Sequence, residues 1–327
     1  MKAVLCRTLG SPAGLTLEEV PPPALARDQV RIRVHACGVN FPDVLMIAGR
    51  YQVQPPLPFS PGAEFSGEIV EVGADSTSFR VGQRVLAISG FGGMAEEVCV
   101  AGPAVVAIPE EMDYVTAAGF LLAYGTAWHA LKQRAELAPG ETLLVLGSAG
   151  GVGLAAVEVG KLMGARVIAA AGTADKLRVA ERHGADDTVN YVEACLKDAV
   201  RDLTSQRGAD VIFDPVGGAL FDDCLRAVAW RGRILIVGFA SGSIQSIPAN
   251  LPLLKGSSLV GVFWGRFTQL EPGLHRQNNA ELLDALGEGS LKPHIDRVLP
   301  LEQAGKAIQL LADRRVTGKI VVRVRPA

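Results

Sequence analysis

The hydrophobic rhythm of the chain changes about a third of the way along. Up to about residue 110, apolar and polar positions alternate in short runs divided by Pro/Gly turns. "QVRIRVHACGV" (29–39) alternates and is β-branched, and "GEIVEVG" (67–73) and "VGQRVLAI" (81–88) each follow a turn. These runs read as half-buried strands. Helical spacing takes over in "DYVTAAGFLLAYGTAWHALKQRA" (113–135), with Pro139-Gly140 as its stop.

Beyond that point, near-continuous apolar runs alternate with helical ones. "ETLLVLG", "ARVIAAA", "DTVNY", "ADVIFDPVG" and "RILIVGF" are the strands. "GVGLAAVEVGKLMG", "DKLRVAERHG", "EACLKDAVRDLTSQRG" and "GALFDDCLRAVAWRG" are the helices between them. A fully apolar strand repeatedly followed by a helix implies a parallel sheet covered on both faces. Right-handed crossovers make that a doubly wound domain, expected over 123–262. The tail adds a helix, "LEQAGKAIQLLADRR", and a strand, "GKIVVRV". The strand-rich first third has no helix to cover it, so 263–327 is assigned with 1–122 to one domain. The expected fold class is α/β, a β-rich domain plus a doubly wound Rossmann domain.

Composition narrows the function classes. A chain of 327 residues, about half of them hydrophobic, suits two soluble domains. A formal net charge of −2 and the absence of a basic stripe give no electrostatic footprint for nucleic acid or anionic lipid. No apolar run reaches the ~18 residues of a membrane span, and the opening residues carry no signal-peptide apolar region. The five cysteines are scattered without a C-x-x-C, as in a reduced, cytoplasmic protein.

The stretch "VLGSAGGVGLAA" (145–156) carries the first chemistry. A strand ends, the chain bends through small residues, and a helix begins. That is the setting for a dinucleotide pyrophosphate on a helix N-terminus. Gly150 admits the phosphates, Gly153 lets the helix pack close to the strand, and Ser148, Ala149, Gly151 and Val152 complete the bend. Ser148 stands where G-x-G-x-x-G has its first glycine. The second strand then chooses the nucleotide. An enzyme using NAD usually carries an acid about 20 residues on, for the ribose 2′-hydroxyl. Here "AAAGTADK" places Ala171 at that point. A small neutral residue leaves room for a 2′-phosphate, with Gly172, Thr173, Lys176 and Tyr191 to bind it. NADPH is the expected cofactor. Asp175, the rival ribose acid, falls in the first turn of the next helix.

Read together, "ACGVNFPDVLMIAGRY", "LPFSPGAEFSGEIVEVG", "VGQRV", "AYGTAWHAL", "AGGVG", "NY" (190–191), "DPVGG", "VGFASG" and "TGK" make the whole chain resemble the medium-chain dehydrogenase/reductases. Specifically, it resembles the zinc-independent, zeta-crystallin-like quinone oxidoreductases. The resemblance implies a GroES-like catalytic domain built from both ends of the chain around a Rossmann domain. Zinc-dependent relatives have a ligand cysteine where this chain has Asn40, and Gly-His-Glu where it has Gly62-Ala63-Glu64. Their four-cysteine lobe has no counterpart, so no metal is expected. Without a Lewis acid, alcohol oxidation gives way to hydride transfer onto an already electrophilic acceptor.

The expected roles follow from the resemblance and the residue chemistry. Asn40 bonds a substrate carbonyl or the cofactor ribose. Tyr51 stacks on a flat acceptor and donates its O–H. Thr126 meets the nicotinamide amide. Gly238, Phe239 and Ala240 close the strand facing the nicotinamide. Arg314 reaches the cofactor phosphates, with Lys319 a weaker candidate for the same task. Asp43 and Glu64 read as a structural polar network, and His129 as a structural helix residue. Three functions compete: an NADPH-dependent quinone reductase, a reductase of α,β-unsaturated carbonyls, and a redox-silent NADPH-binding protein. The run "SSLVGVFWG" (257–265) reads as an edge strand that pairs with its copy in a homodimer.

Overall fold

The computed structural model describes residues 1–325. The chain divides into two units. One comprises residues 1–122 with those from Ile295 onward, and the other runs from Ala123 to His294.

The first unit is built on a seven-stranded sheet. Its strands run in the order Ile295–Pro300, Lys319–Arg323, Gln29–Val39, Glu64–Val72, Arg84–Ile88, Val105–Ala107, and Glu97–Ala101 also pairs with Gln29–Val39. All pairings are antiparallel except that of the two C-terminal strands. The alternation in Gln29–Val39 turns Val30, Ile32 and Val34 into the core. The tail supplies both a strand and a cover: Ala304, Ala307 and Ile308 of the helix Ala304–Ala312 pack into that core. Cys37 is wholly buried there as a small apolar residue.

The second unit is a six-stranded parallel sheet. Its order is Asp187–Asn190, Arg166–Ala171, Thr142–Leu146, Ala209–Asp214, Val228–Ile236, Ser258–Gly261. The first strand in sequence lies inside the sheet, and the winding reverses between it and Ala209–Asp214. This is the doubly wound arrangement expected from the sequence. Its ligand position is the carboxyl end of the strands at that reversal. Thr142–Leu146 is buried at every position because helices cover both faces.

Three expectations are corrected. Residues 263–294 lie with the parallel-sheet unit, not with the first. Trp264 packs on Gly125, where an added Cβ would come within 2.8 Å of the indole. Lys132 pairs with Glu281, and Gln133 Nε2 donates to Asn278 Oδ1 at 3.0 Å. The helices Trp264–Leu270 and Pro272–Gly287 thus bury side chains against the 121–134 segment. Next, "VAWRG" is strand, not helix: Val228–Ile236 begins directly after Ala227, with a register shift and Arg231 at φ 61°. Last, the expected helix over 113–135 is interrupted. It forms Tyr114–Ala118, Leu121–Trp128 and a wider turn His129–Arg134. Among the described residues, no helix is long and apolar enough to cross a membrane.

Candidate functional site

The bend after Thr142–Leu146 is made by glycines with separate tasks. Gly147 turns the chain at φ 56°, and Gly150 N–H donates to its carbonyl at 2.9 Å. The helix Gly151–Leu162 starts behind Gly150, with no acidic side chain in its first turn. Its first N–H groups therefore face a position that attracts an anion. A Cβ on Gly153 would come 2.2 Å from Gly147 O, so this glycine is what lets the helix close on the strand. On Gly150 the nearest atom would be 3.4 Å away, an ordinary contact, so the protein's own packing does not demand a glycine there. Ser148 and Ala149 are buried, and the Ser148 hydroxyl donates to Ala170 O at 3.1 Å. The Ser148 side chain is thereby tied to the neighbouring strand, and both residues support the bend from within the fold. Sequence reasoning also overlooked Gly147, although a glycine directly after an apolar strand is a turn signal.

At the end of the next strand, Ala171 is buried and the corner residues come together. The Tyr191 hydroxyl lies 3.5 Å from where a Cβ on Gly172 would stand. Thr173 caps the helix Ala174–Arg182 by accepting from Lys176 N–H, which places Lys176 in the first turn. Asp175 is exposed in that same turn and pairs with Arg178, so it is engaged away from the strand end. The corner contains a cation, a phenol and a hydroxyl, with no carboxylate at Ala171.

The carboxyl ends of Ala209–Asp214 and Val228–Ile236 are laced together. Asp214, missed by sequence reasoning inside "DPVGG", is buried and accepts from Val216 and Gly217 N–H groups, each at 2.8 Å. Val237 N–H reaches Asp214 O at 3.0 Å and Ala240 N–H reaches Pro215 O at 3.0 Å. Phe239 is then 37% exposed against Gly217, whose φ is 64°. An aromatic face is thus held at the strand ends beside Gly238 and Ala240. Thr126, half-buried, rides on Leu121–Trp128. That helix is tied to the one after the bend by Tyr124 O–H donating to buried Glu158 Oε2 at 2.7 Å. Lys292 N–H donates to the same oxygen at 2.9 Å. His129 stacks on Phe267 at 4.0 Å, a packing role.

The first unit holds a buried polar cluster of its own. Asn40 precedes the helix Phe41–Ile47. Asp43 reaches back to Asn40 N–H at 2.8 Å and across to Gly62 N–H at 2.9 Å, tying two loops together. Glu64 accepts from Asn40 Nδ2 and from Lys319 Nζ, both at 3.1 Å, and its other oxygen accepts from Leu122 N–H at 2.8 Å. Lys319 also donates to Asn40 Oδ1. Lys319 is therefore corrected from a phosphate ligand to a buried ion-pair residue. A lysine leading directly into the apolar run Ile320–Val322 was the signal for it. Tyr51 is half-buried against the core, and burial raises its phenol, so it stays a neutral O–H. Arg314 is exposed at φ 56°, just past the tail helix.

Burial pushes the Asp43 carboxyl up to about 6, against the opposing pull of the Asn40 and Gly62 N–H groups and the Lys319 ammonium. The folded value lies above the unfolded ~3.9, so the folded state holds this proton more tightly. Its contribution is fully present below about pH 4 and is lost as pH rises through about 6. Urea unfolding of wild type and Asp43→Asn across that window should show the excess falling with pH. An excess that rises with pH would mean a carboxylate stabilised as the anion.

The donor set does not suit zinc. Asn40 and Ala63 offer neither thiolate nor imidazole. Burial raises the Cys37 thiol well above its ordinary value, and Glu64 already holds the Lys319 ammonium. No group of three or more His, Cys, Asp or Glu able to hold a metal occurs among the described residues. The bend, the 171–191 corner and the Phe239 loops do suit a dinucleotide.

Residues 26–110 match the alcohol dehydrogenase GroES-like domain, and 151–279 match the family described as zinc-binding dehydrogenase. The chain is 42% identical over 325 residues to quinone oxidoreductase-like protein 2 of Bos taurus, covering 99% of this chain and 93% of that one. It is 32% identical over 325 residues to human quinone oxidoreductase, covering 98% and 97%. A mycobacterial structure complexed with NADPH superposes with a TM-score of 0.93 at 30% identity, covering 99% and 100%. Escherichia coli quinone oxidoreductase complexed with NADPH does so with a TM-score of 0.93 at 25% identity and the same coverage.

Proposed function

From the chain's membership of the medium-chain dehydrogenase/reductase family, among its quinone oxidoreductases, we propose that this oxidoreductase uses NADPH to reduce quinones without a metal ion. The observation that carries the reading is the glycine bend followed by a second strand ending in Ala171 beside Lys176 and Tyr191. When bound, NADPH supplies the hydride and leaves as NADP⁺, and a proton from water completes the quinol. The residues of this chain hold and orient. The bare Gly150 and the N–H groups of 151–153 take the pyrophosphate, and Gly172, Thr173, Lys176 and Tyr191 take the 2′-phosphate. Thr126, with Phe239 between Gly238 and Ala240, supports the nicotinamide. Arg314 supplies a further phosphate contact. Asn40 donates to the acceptor's carbonyl oxygen, and Tyr51 offers a stacking face and a neutral O–H.

A quinone has electrophilic carbons before any metal polarises it, so a zinc-free donor set suffices. Purified protein should consume NADPH in the presence of simple quinones, followed at the nicotinamide absorbance. Turnover confined to enals or enones would move the substrate class to α,β-unsaturated carbonyls. NADPH binding without turnover on any acceptor would leave a binding protein.

The same reading includes a homodimer. Ser258–Gly261 is the last strand of the parallel sheet and, among the described residues, pairs on one side only. Leu253, Leu254 and Phe263 are exposed on the segments flanking it in sequence, and Trp230 is exposed on the strand it pairs with. Pairing with a second copy would continue the sheet across a two-fold axis. Light scattering at micromolar concentration should give twice the chain mass, and a monomer mass would refute the dimer.

A further inference from the structure

We propose that Lys319 is a positioning residue for the reduction, and that it makes Asn40 a hydrogen-bond donor to the acceptor. The inference rests on the proposed reductase activity. A carboxamide has nearly the same shape at both ends, so its partners decide which end is oxygen. An ammonium can only donate, so Lys319 holds the oxygen end of Asn40. A carboxylate can only accept, so Glu64 holds the nitrogen end at 3.1 Å. The ion pair that imposes this is itself buried, with side chains 6% and 0% exposed, and its two charges sit 3.1 Å apart.

One N–H of Asn40 is thus committed to Glu64. The other points to Gly38 O at 3.3 Å, the longer bond of the two, and is the one an incoming carbonyl oxygen can take over. A cation on the amide oxygen draws electrons from the nitrogen and strengthens both N–H donors. That bond matters more as hydride arrives, because the acceptor oxygen then gains negative charge. Loss of Lys319 should therefore appear in kcat. It should leave the phosphate contacts that dominate NADPH affinity alone, since the glycine bend and the 171–191 corner include neither Lys319 nor Asn40.

The test is a double-variant cycle on the purified full chain, with Lys319→Met, Asn40→Leu and their combination assayed beside wild type. Lys319→Met should lower kcat about tenfold to a hundredfold, a fraction of what loss of a direct oxyanion donor costs. NADPH affinity, from nicotinamide fluorescence, should change less than about twofold. The combination should be no slower than Asn40→Leu alone, since a residue acting through another has nothing left to act on. Lys319→Arg should recover part of the rate. Glu64→Gln with Lys319→Met removes the unpaired buried charge; its melting temperature should return toward wild type while its kcat stays low. Additive losses in the cycle, a kcat restored along with stability, or a kcat unmoved in Lys319→Met would each overturn the role of Lys319. Absence of wild-type turnover on every acceptor would instead overturn the reductase reading, and this inference with it.

Discussion

Gly150→Val and Gly153→Ala should disable the chain in two different ways. At Gly153 a single methyl meets Gly147 O at 2.2 Å and Gly147 C at 2.9 Å. Both are backbone atoms of the turn that leaves the strand, so the helix Gly151–Leu162 must lift away. A cost of about 1–3 kcal/mol is expected, seen as a lower midpoint in denaturant, with nucleotide binding lost as a consequence. Gly150 sits at φ −81° and ψ 170°, which any residue adopts, and its Cβ meets nothing closer than 3.4 Å. Valine is a poorer N-cap than glycine, so a loss of about 1 kcal/mol or less is expected, without the backbone clash met at Gly153. It would stand where the phosphates approach. Losing one or two charge-assisted bonds of ~1.5–3 kcal/mol each weakens NADPH at least about tenfold. Unfolding curves and fluorescence titrations on both variants separate the effects. Normal NADPH affinity in Gly150→Val would move the pyrophosphate away from this bend.

The choice between NADPH and NADH should turn on the corner at the end of Arg166–Ala171. Lys176→Ala removes a charge-assisted contact to the 2′-phosphate, about 1.5–3 kcal/mol, or tenfold to a hundredfold. The Michaelis constant for NADPH should rise by that factor while that for NADH barely moves. Ala171→Asp should go further, because it repels the phosphate and gives a free 2′-hydroxyl an acceptor. Ala171 is the buried last residue of its strand, so a melting curve must accompany the kinetics. Equal weakening of both cofactors by Lys176→Ala would transfer the selectivity to another group.

Much of this was legible in the sequence because two periodicities carried it. A strand buried at every position, such as Thr142–Leu146, and an alternating one, such as Gln29–Val39, leave different marks on the chain. The glycine bend was legible because strand, small residues and helix occur in order. What escaped depended on partners distant in sequence. Residues 263–294 were assigned to the wrong unit because only the packing of Trp264, Asn278 and Glu281 places them. "VAWRG" looks helical, but Val228 pairs with Ala209 and the chain bulges through Arg231 to rejoin the sheet at Arg233. Lys319 read only as a weaker phosphate candidate because Asn40 and Glu64 lie more than 250 residues away along the chain. Asp214 and Glu158 act through backbone N–H groups and a tyrosine hydroxyl, and no spacing rule announces such bonds.

The central claim is metal-free hydride transfer from NADPH, and one measurement addresses it directly. Protein dialysed against a strong chelator, shown by elemental analysis to hold no stoichiometric zinc, is loaded with one equivalent of NADPH and mixed with excess quinone. The account predicts that nicotinamide absorbance decays fully in a single turnover, at the rate seen before dialysis. It also predicts that the same protein loaded with NADH decays far more slowly. A decay that disappears on dialysis and returns only with zinc would contradict it.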